Sequence, residues 1–326
     1  MIMAYGMKGH LGICFQQSYG TAYTSSFHYF PLINESLIEN IPLLISEGVR
    51  GRFEEGPSHE GAHDISGDIT VEAHPILSGK LFTAWAGQSS GTLSNSSYVH
   101  LIKPKATDWG ELAAVPPMTI EVYRDGGSAH QYYDVLCDQL VTDIAHGAII
   151  KHTMSIKGGK FSKVAKTTAS YLAGSEFTWD QTSISFQGSA NGGIDEIPQI
   201  TITMNNALEA KGTLDGTKTP NRIKRSGFRT AEIAGTLIFL DDKEFDHWRN
   251  QAAQPAVVTV TGQDISSGYS GYIEFDIPQM KYNDVPVNIG GPGLVEASFT
   301  AKCEYKSTSA TMIAISMQNT VPQYLE

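Results

Sequence analysis

One segment of this 326-residue chain is written twice. Asp64-Ile65-Ser66-Gly67-Asp68-Ile69 returns 168 positions later as Glu232-Ile233-Ala234-Gly235-Thr236-Leu237. In both copies apolar residues alternate with polar or small ones, the period of a strand with one buried face. Behind each copy comes Phe-x-x-Trp, as Phe82 and Trp85 and again as Phe245 and Trp248, a spacing that puts both rings on one helix face. Tyr132-Tyr133-Asp134 through Gln139-Leu140 then answers to Tyr272-Ile273-Glu274 through Gln279-Met280. The order strand, strand, helix, strand, strand, strand therefore occurs twice. A repeat of half the chain is a duplicated domain rather than a solenoid. Its boundary is expected near residue 165.

Period two dominates after residue 45. Residues 65–73, 119–123, 133–141, 149–156, 197–204, 257–261 and 272–277 alternate, and 294–302 closes the second half. Glycine pairs at 126–127, 158–159 and 192–193, and Gly290-Gly291-Pro292-Gly293, mark turns. Two short helices are predicted, over 78–87 with Ser78 as N-cap and over 241–251 with Asp241 as N-cap. Phe82, Trp85, Phe245 and Trp248 are read as their core anchors. The chain is mainly β, with modules at 46–165 and 166–326. Residues 1–45, rich in Gly, Ser, Tyr and Thr, read as an extended N-terminal arm that orders when it docks on a neighbour. The first fifteen residues do not read as a signal peptide, and no apolar run reaches membrane-spanning length.

A formal charge of −11 at pH 7 argues against a basic nucleic-acid binder, and 41% hydrophobic residues argue against disorder. Cys14, Cys137 and Cys303 are too few and too scattered for a disulfide framework or a zinc ribbon, and point to a reducing compartment. Cys137, on an alternating segment, reads as a small core residue. His59-Glu60-Gly61-Ala62-His63 fits the HExxH pattern of zinc hydrolases. That chemistry needs both histidines on one helical face. Here Gly56 and Pro57 precede the motif and Gly61 interrupts it, so an exposed loop is the better reading and a zinc hydrolase a remote alternative. His74, His130, His146, His152 and His247 are scattered and expected at the surface or at strand edges. No catalytic residue, cofactor or metal ligand is assigned.

Taken in order, several segments make the chain resemble the tail tube proteins of long-tailed bacteriophages, in their two-module form. They are Tyr19-Gly20-Thr21-Ala22, Ser36-Leu37-Ile38-Glu39, the Asp64-Ile65-Ser66-Gly67 strand with its helix, residues 223–229 and 233–240, and the glycine turn at 290–293. The resemblance implies that each module is a β-sandwich or barrel flanked by one short α-helix. It implies rings stacked head to tail around a channel, with three chains supplying six modules in a pseudo-six-fold homotrimer. Four strands per module would give an inner barrel of about 24 strands, on the order of 48 Å across, without exposed edges. The implied partners are further copies of the chain, a tape measure protein, a tail tip or initiator, a tail terminator, and double-stranded DNA in transit without specific binding. No membrane is involved. The expected location is the virion tail, after assembly in the host cytoplasm. A monomeric β-sandwich binding or adhesion module of a virion is the alternative.

The polar face of residues 65–73, with Asp68, Thr70 and Glu72, is expected to line the channel, where few positive charges would let DNA slide. Arg50 and Arg52 alternate with Val49 and Phe53 in what reads as a preceding strand, placed to meet Glu54, Asp68, Glu72 or phosphate. The matching second-half face, Ala234, Thr236, Ile238 and Leu240, is less polar and leaves its exposure or register open. Segments 59–63 and 207–221 are candidates for contact with an adjacent ring, the second through Lys211, Thr213, Asp215 and Lys218. The N-terminal arm and the tail after Lys306 are further stacking candidates.

Overall fold

The computed structural model describes residues 4–325 except 52, 95, 187–188, 191–196, 267–268 and 290. The glycine pair at 192–193, Gly290 and Arg52 lie outside the described residues. The first half runs β1 (His10–Phe15), β2 (His28–Phe30), β3 (Leu32–Glu35), β4 (Ile38–Asn40), β5 (Leu43–Ile45), β6 (Ser58–Glu60), β7 (Asp64–Glu72), α1 (Ser78–Ala86), β8 (Ser90–Ser94), β9 (Ser97–Ile102), β10 (Met118–Tyr123), β11 (Ala129–Ala145), β12 (Lys151–Lys157) and β13 (Lys160–Val164). The second runs β14 (Thr182–Phe186), β15 (Ser189–Ala190), β16 (Gln199–Asn205), β17 (Leu208–Lys211), β18 (Arg222–Arg225), β19 (Thr230–Ile238), α2 (Lys243–Arg249), β20 (Gln254–Ser266), β21 (Tyr269–Asp284), β22 (Glu296–Cys303) and β23 (Ala314–Asn319). The protein is mainly β, as its two-residue period requires.

One antiparallel sheet carries the architecture. Its order is β3 with β4, then β7, β12, β11, β16, β19, β22 and β21. The pairing series β7–β12–β11 in the first half has its counterpart in β19–β22–β21 in the second. Each half also has a strand flanking this series, β4 or β16, and a hairpin after it, β5–β6 or β17–β18. The halves join where β11 pairs with β16.

β11 and β21 are long because each serves two sheets. β11 pairs first with β10 and β13, then shifts register at Asp138 and continues with β12 and β16. β21 pairs first with β20 and β23, then shifts near Pro278 and continues with β22. Such bulges bend a strand and re-aim it. The core lies between these layers. Ile65, Ile69, Met154, Leu140, Ile202, Ile233 and Phe299, on one face of the long sheet, are all at most 1% exposed. Each such side chain contributes about 1.5–3 kcal/mol on burial.

The two helices are unequal. Every residue of α1 is buried, with Phe82 and Trp85 at 0% exposure, so α1 is a core element. Phe245 and Trp248, expected as anchors of α2, are only half-buried, and Glu244 is the buried residue of that helix. α2 has two turns and carries Lys243, Glu244, Asp246 and Arg249, so it has no apolar circumference to bury. Both N-caps fall one residue from expectation. Leu77 precedes α1, and Asp242 precedes α2 while Asp241 accepts the Lys243 N–H at 3.1 Å.

The repeated glycine has a steric reason. At Gly67, with φ of 143°, a Cβ would sit 2.5 Å from the Ser36 carbonyl oxygen, between β3 and β4. At its mate Gly235 a Cβ would sit 2.6 Å from the Gln199 carbonyl oxygen on β16. In both halves the flanking strand passes too close for a side chain.

The N-terminal segment, expected as an extended arm, is extended but packed. β1 lies between β10 and β2, and Leu11, Ile13 and Phe30 are 0% exposed. The tail after Lys306, expected as a stacking element, forms β23 between β21 and β9, and Tyr324 donates its hydroxyl to the Ile76 carbonyl at 2.7 Å.

Candidate functional site

Directly paired residues share a face of a sheet, so the register arranges the side chains opposite the core into rows. One row reads Thr70, Thr153, Val141, Thr203, Glu232, Lys302 and Lys281. The row beside it reads Glu72, Lys151, Asp143, Thr201, Ala234 and Thr300. On the other side stand Asp68, Ser155, Gln139, Asn205 and Thr230. Polar side chains, many of them short and interrupted only by Val141 and Ala234, therefore pave a continuous surface across both halves.

Lateral hydrogen bonds hold that paving in place. Ser155 donates to Asp68 at 2.6 Å, and Thr201 donates to Asp143 at 2.8 Å. The hydroxyls of Thr70 and Thr153 are 3.1 Å apart, and the Asn205 amide donates to Gln139 at 3.2 Å. The charges are Asp64, Asp68, Glu72, Asp143, Glu232, Asp284 and Glu296 against Lys151, Lys157, Lys281 and Lys302. Two of these lysines are tethered, Lys157 to Asp138 at 3.4 Å and Lys281 to Glu304 at 3.8 Å. No arginine stands in these rows among the described residues. Such a surface offers weak, exchangeable hydrogen bonds and little fixed positive charge.

Asp68, Thr70 and Glu72 stand together on this face, with Asp68 exposed and the other two half-exposed. Ala234, Thr236 and Ile238 stand on the same face, so the second half keeps the register; Leu240 lies past the end of β19. Arg50 and Glu54 do not join it. The described residues of 46–57 form a largely exposed connection between β5 and β6 and not a strand, because Gly48, Gly51 and Gly56 break the alternation. Arg50 donates to Ser46 at 3.1 Å. The hydroxyls of β12 and β16 and the lysines at the β22–β21 end were not singled out from the sequence. The alternation that marks 149–156 and 197–204 already carries them.

The HExxH match is not helical. His59 and Glu60 end strand β6, where neighbours point to opposite faces, and the chain turns at Gly61. His63 lies 2.9 Å from Glu39 and 2.6 Å from Glu60, and Glu60 also pairs with Lys218. Hydrogen bonds that His63 donates to Glu39 and then Glu60 raise its pKa, while those that Glu60 accepts from Lys218 and then His63 lower its own. The cluster ties together the two segments singled out as inter-ring candidates. Lys211, Thr213 and Asp215 are exposed with Lys218 on the same connection. Among the described residues no group of three His, Cys, Asp or Glu is placed to hold a metal ion.

Two histidines expected at the surface are core residues. His74 is 2% exposed and His152 is 1% exposed. His152 shares the phase of Met154 and Ile156, which is the signal the sequence held. Its ring nitrogens lie 2.9 Å from the Thr142 hydroxyl and 3.0 Å from the Ser78 hydroxyl, and burial pushes its pKa down to about 3. His130 is half-buried beside Arg124, His247 is half-buried on α2, and His146 is exposed against Trp179. Cys137 is buried, and desolvation pushes its thiol well above the ordinary range.

The sheet has two open edges. Among the described residues β4 pairs only with β7, and Lys281, Tyr282 and Asp284 of β21 pair only with β22. A family model described as phage tail tube protein matches residues 6–303, from ahead of β1 through the end of β22. No curated protein matches the chain.

Proposed function

The chain belongs to the phage tail tube protein family, which makes it a structural protein of the virion tail, and from that premise we propose that its copies close into rings whose stack is the channel for DNA. The observation that carries this reading is the long antiparallel sheet with one buried face and, among the described residues, one polar arginine-free face and an open edge at each end. Open edges invite pairing, and closure into a barrel removes them. Counting β3 with β4, each chain brings eight strands. Three chains then make about 24, a barrel about 48 Å across between backbones. The paired halves, 46–165 and 166–326, act as two modules, and the ring is a pseudo-six-fold homotrimer.

The hydroxyl-rich face lines the channel in this reading. A wall dense in lysine and arginine would release counterions and hold the duplex, whereas this one lets it slide. Rings stack head to tail. Val49 and Phe53, on the β5–β6 connection, are fully exposed, as is Leu214 in the 211–218 loop, and apolar tips of this kind fit a neighbour better than water. The tape measure protein fills the channel before ejection, and tip or initiator and terminator proteins bound its ends. Assembly takes place in the host cytoplasm. The role is structural and needs neither catalytic residue nor cofactor.

Negative-stain electron microscopy of the purified chain, with mass measurement on the same sample, tests this. Rings or tubes with a central hole and three chains per ring are the expected result. A chain that stays monomeric at high concentration, and also with an initiator complex, overturns the reading in favour of a binding module.

A further inference from the structure

We propose that Leu43 of one copy takes, beside Trp248 of the next copy, the place that Asn206 holds beside Trp85 within the chain. This rests on the ring-forming reading above and names the surface through which neighbours meet.

The repeat supplies the argument. β4 stands against β7 with Asn40 opposite Asp64, and β16 stands against β19 with Thr203 opposite Glu232. Asp64 and Glu232 are repeat mates, so Asn40 and Thr203 are equivalent. Three residues further on stand Leu43 and Asn206. Asn206 donates to the carbonyl oxygen of Trp85 at 3.0 Å and is itself 0% exposed. Its neighbours on the β17–β18 hairpin, Leu208 and Ile223, are 2% and 0% exposed. Leu208 and Ile223 pack on Ala113, Val115 and Leu136, and Asn206 is the residue that reaches α1, which is buried at every residue.

The second set of the same parts is open. α2, the mate of α1, leaves Phe245 and Trp248 half-covered. The β5–β6 hairpin, mate of β17–β18, exposes Leu43 at 66%, Leu44 at 57% and Ile45 at 49%. Each chain thus sets the residue that opens one hairpin against one helix internally and has a hairpin and a helix left over. Charge at the two edges is compatible with their meeting between copies: the β4–β7 end of the sheet presents Asp64, Asp68 and Glu72, and the β22–β21 end presents Lys302 opposite Lys281, with Asp284 and Glu304 beside them. Such a contact is heterologous: it repeats from copy to copy and closes when the rotation allows.

A mixing experiment decides it. The variant L43D/L44D removes the inserter and Phe245→Asp removes the receiver. Each is expected to stay monomeric where the unaltered chain assembles, with the assembly threshold raised about 100-fold. Mixed together they are expected to form a one-to-one dimer and stop, because one sound contact remains. Variants that assemble like the unaltered chain, or mixed variants that stay apart, overturn the inference while the ring reading stands. An unaltered chain that never assembles overturns both. If Phe245→Asp does not fold, Leu43→Cys chains mixed with Arg249→Cys chains decide the matter. A disulfide-linked heterodimer is expected, and its absence from assembled rings overturns the inference. The native Cys14, Cys137 and Cys303 are buried and do not compete.

Discussion

Asn206 donates its side-chain amide to the Trp85 carbonyl oxygen at 3.0 Å, which ties the second half of the chain to the helix of the first. The same amide donates to the Cys137 carbonyl at 3.0 Å, and its oxygen accepts from Arg225 at 2.7 Å and from Arg229 at 2.9 Å. Both amide donors and both oxygen lone pairs are thus engaged. Asn206→Leu keeps the branched shape and strands two carbonyls and two guanidinium donors. Each buried orphan costs about 1–3 kcal/mol. Denaturant unfolding should show a loss of about 4 kcal/mol or more with an unchanged m value. A loss below about 1 kcal/mol would mean that water takes over these bonds.

The unequal burial of the two helices predicts unequal sensitivity. Trp85→Ala removes a side chain at 0% exposure and should destabilise by about 3–5 kcal/mol. Phe245→Ala removes a half-buried ring and should cost about 1 kcal/mol in the isolated chain. Equal losses in thermal or denaturant unfolding would contradict the assignment of α1 alone to the core.

Gly67→Ala should loosen the sheet at its β4 edge. The added methyl meets the Ser36 carbonyl at 2.5 Å in a conformation that side chains rarely adopt. Overpacking together with the positive φ should cost roughly 3 kcal/mol. Hydrogen exchange should quicken at the β4 amides before it does at β12. Gly235→Ala should loosen β16 by less, through the clash with the Gln199 carbonyl alone, since Gly235 does not have a positive φ.

Much of this was legible because period two fixes phase. The polar face with Asp68, Thr70 and Glu72 follows from alternation alone, and so does the burial of Ile65 and Ile69 opposite it. The same rule places His152 with Met154 in the core, where residue type alone suggests a surface position. What alternation cannot show is a partner. The burial of Leu11 and Ile13 depends on β10, more than a hundred residues away, and so β1 reads from its composition as a loose arm. The half-exposure of Phe245 depends on what does not cover α2, which no local pattern records. The Glu60–Lys218 pair joins the end of β6 to a distant loop with which it shares no sequence signal.

His152 makes stability depend on pH. Its ordinary pKa is 6.5 and burial lowers it to about 3 in the folded chain. Above pH 6.5 both states leave it neutral. Below pH 6.5 the unfolded chain binds a proton that the folded chain refuses until about pH 3. Stability therefore falls as pH falls through this window, by up to about 1.4 kcal/mol per pH unit from this group. Between pH 6.5 and 5, above the range of ordinary carboxylates, His152→Gln should flatten the dependence by up to one proton. An unchanged slope would show that His152 is charged in the folded state.

The polar face predicts how DNA would be retarded. Thr203 stands mid-row between Val141 and Glu232, half-exposed, so Thr203→Lys adds a charge to the face without touching the core. Each lysine that reaches a phosphate releases counterions, and binding then falls with salt at a slope of about −0.9 per contact. With three chains in a ring, every ring of the stack gains such contacts. Particles carrying Thr203→Lys should assemble normally and eject DNA slowly at low salt, and recover as salt rises. Thr203→Val, which removes the hydroxyl without adding charge, should not slow them. Equal ejection by all three at low salt would mean that this face does not meet the duplex.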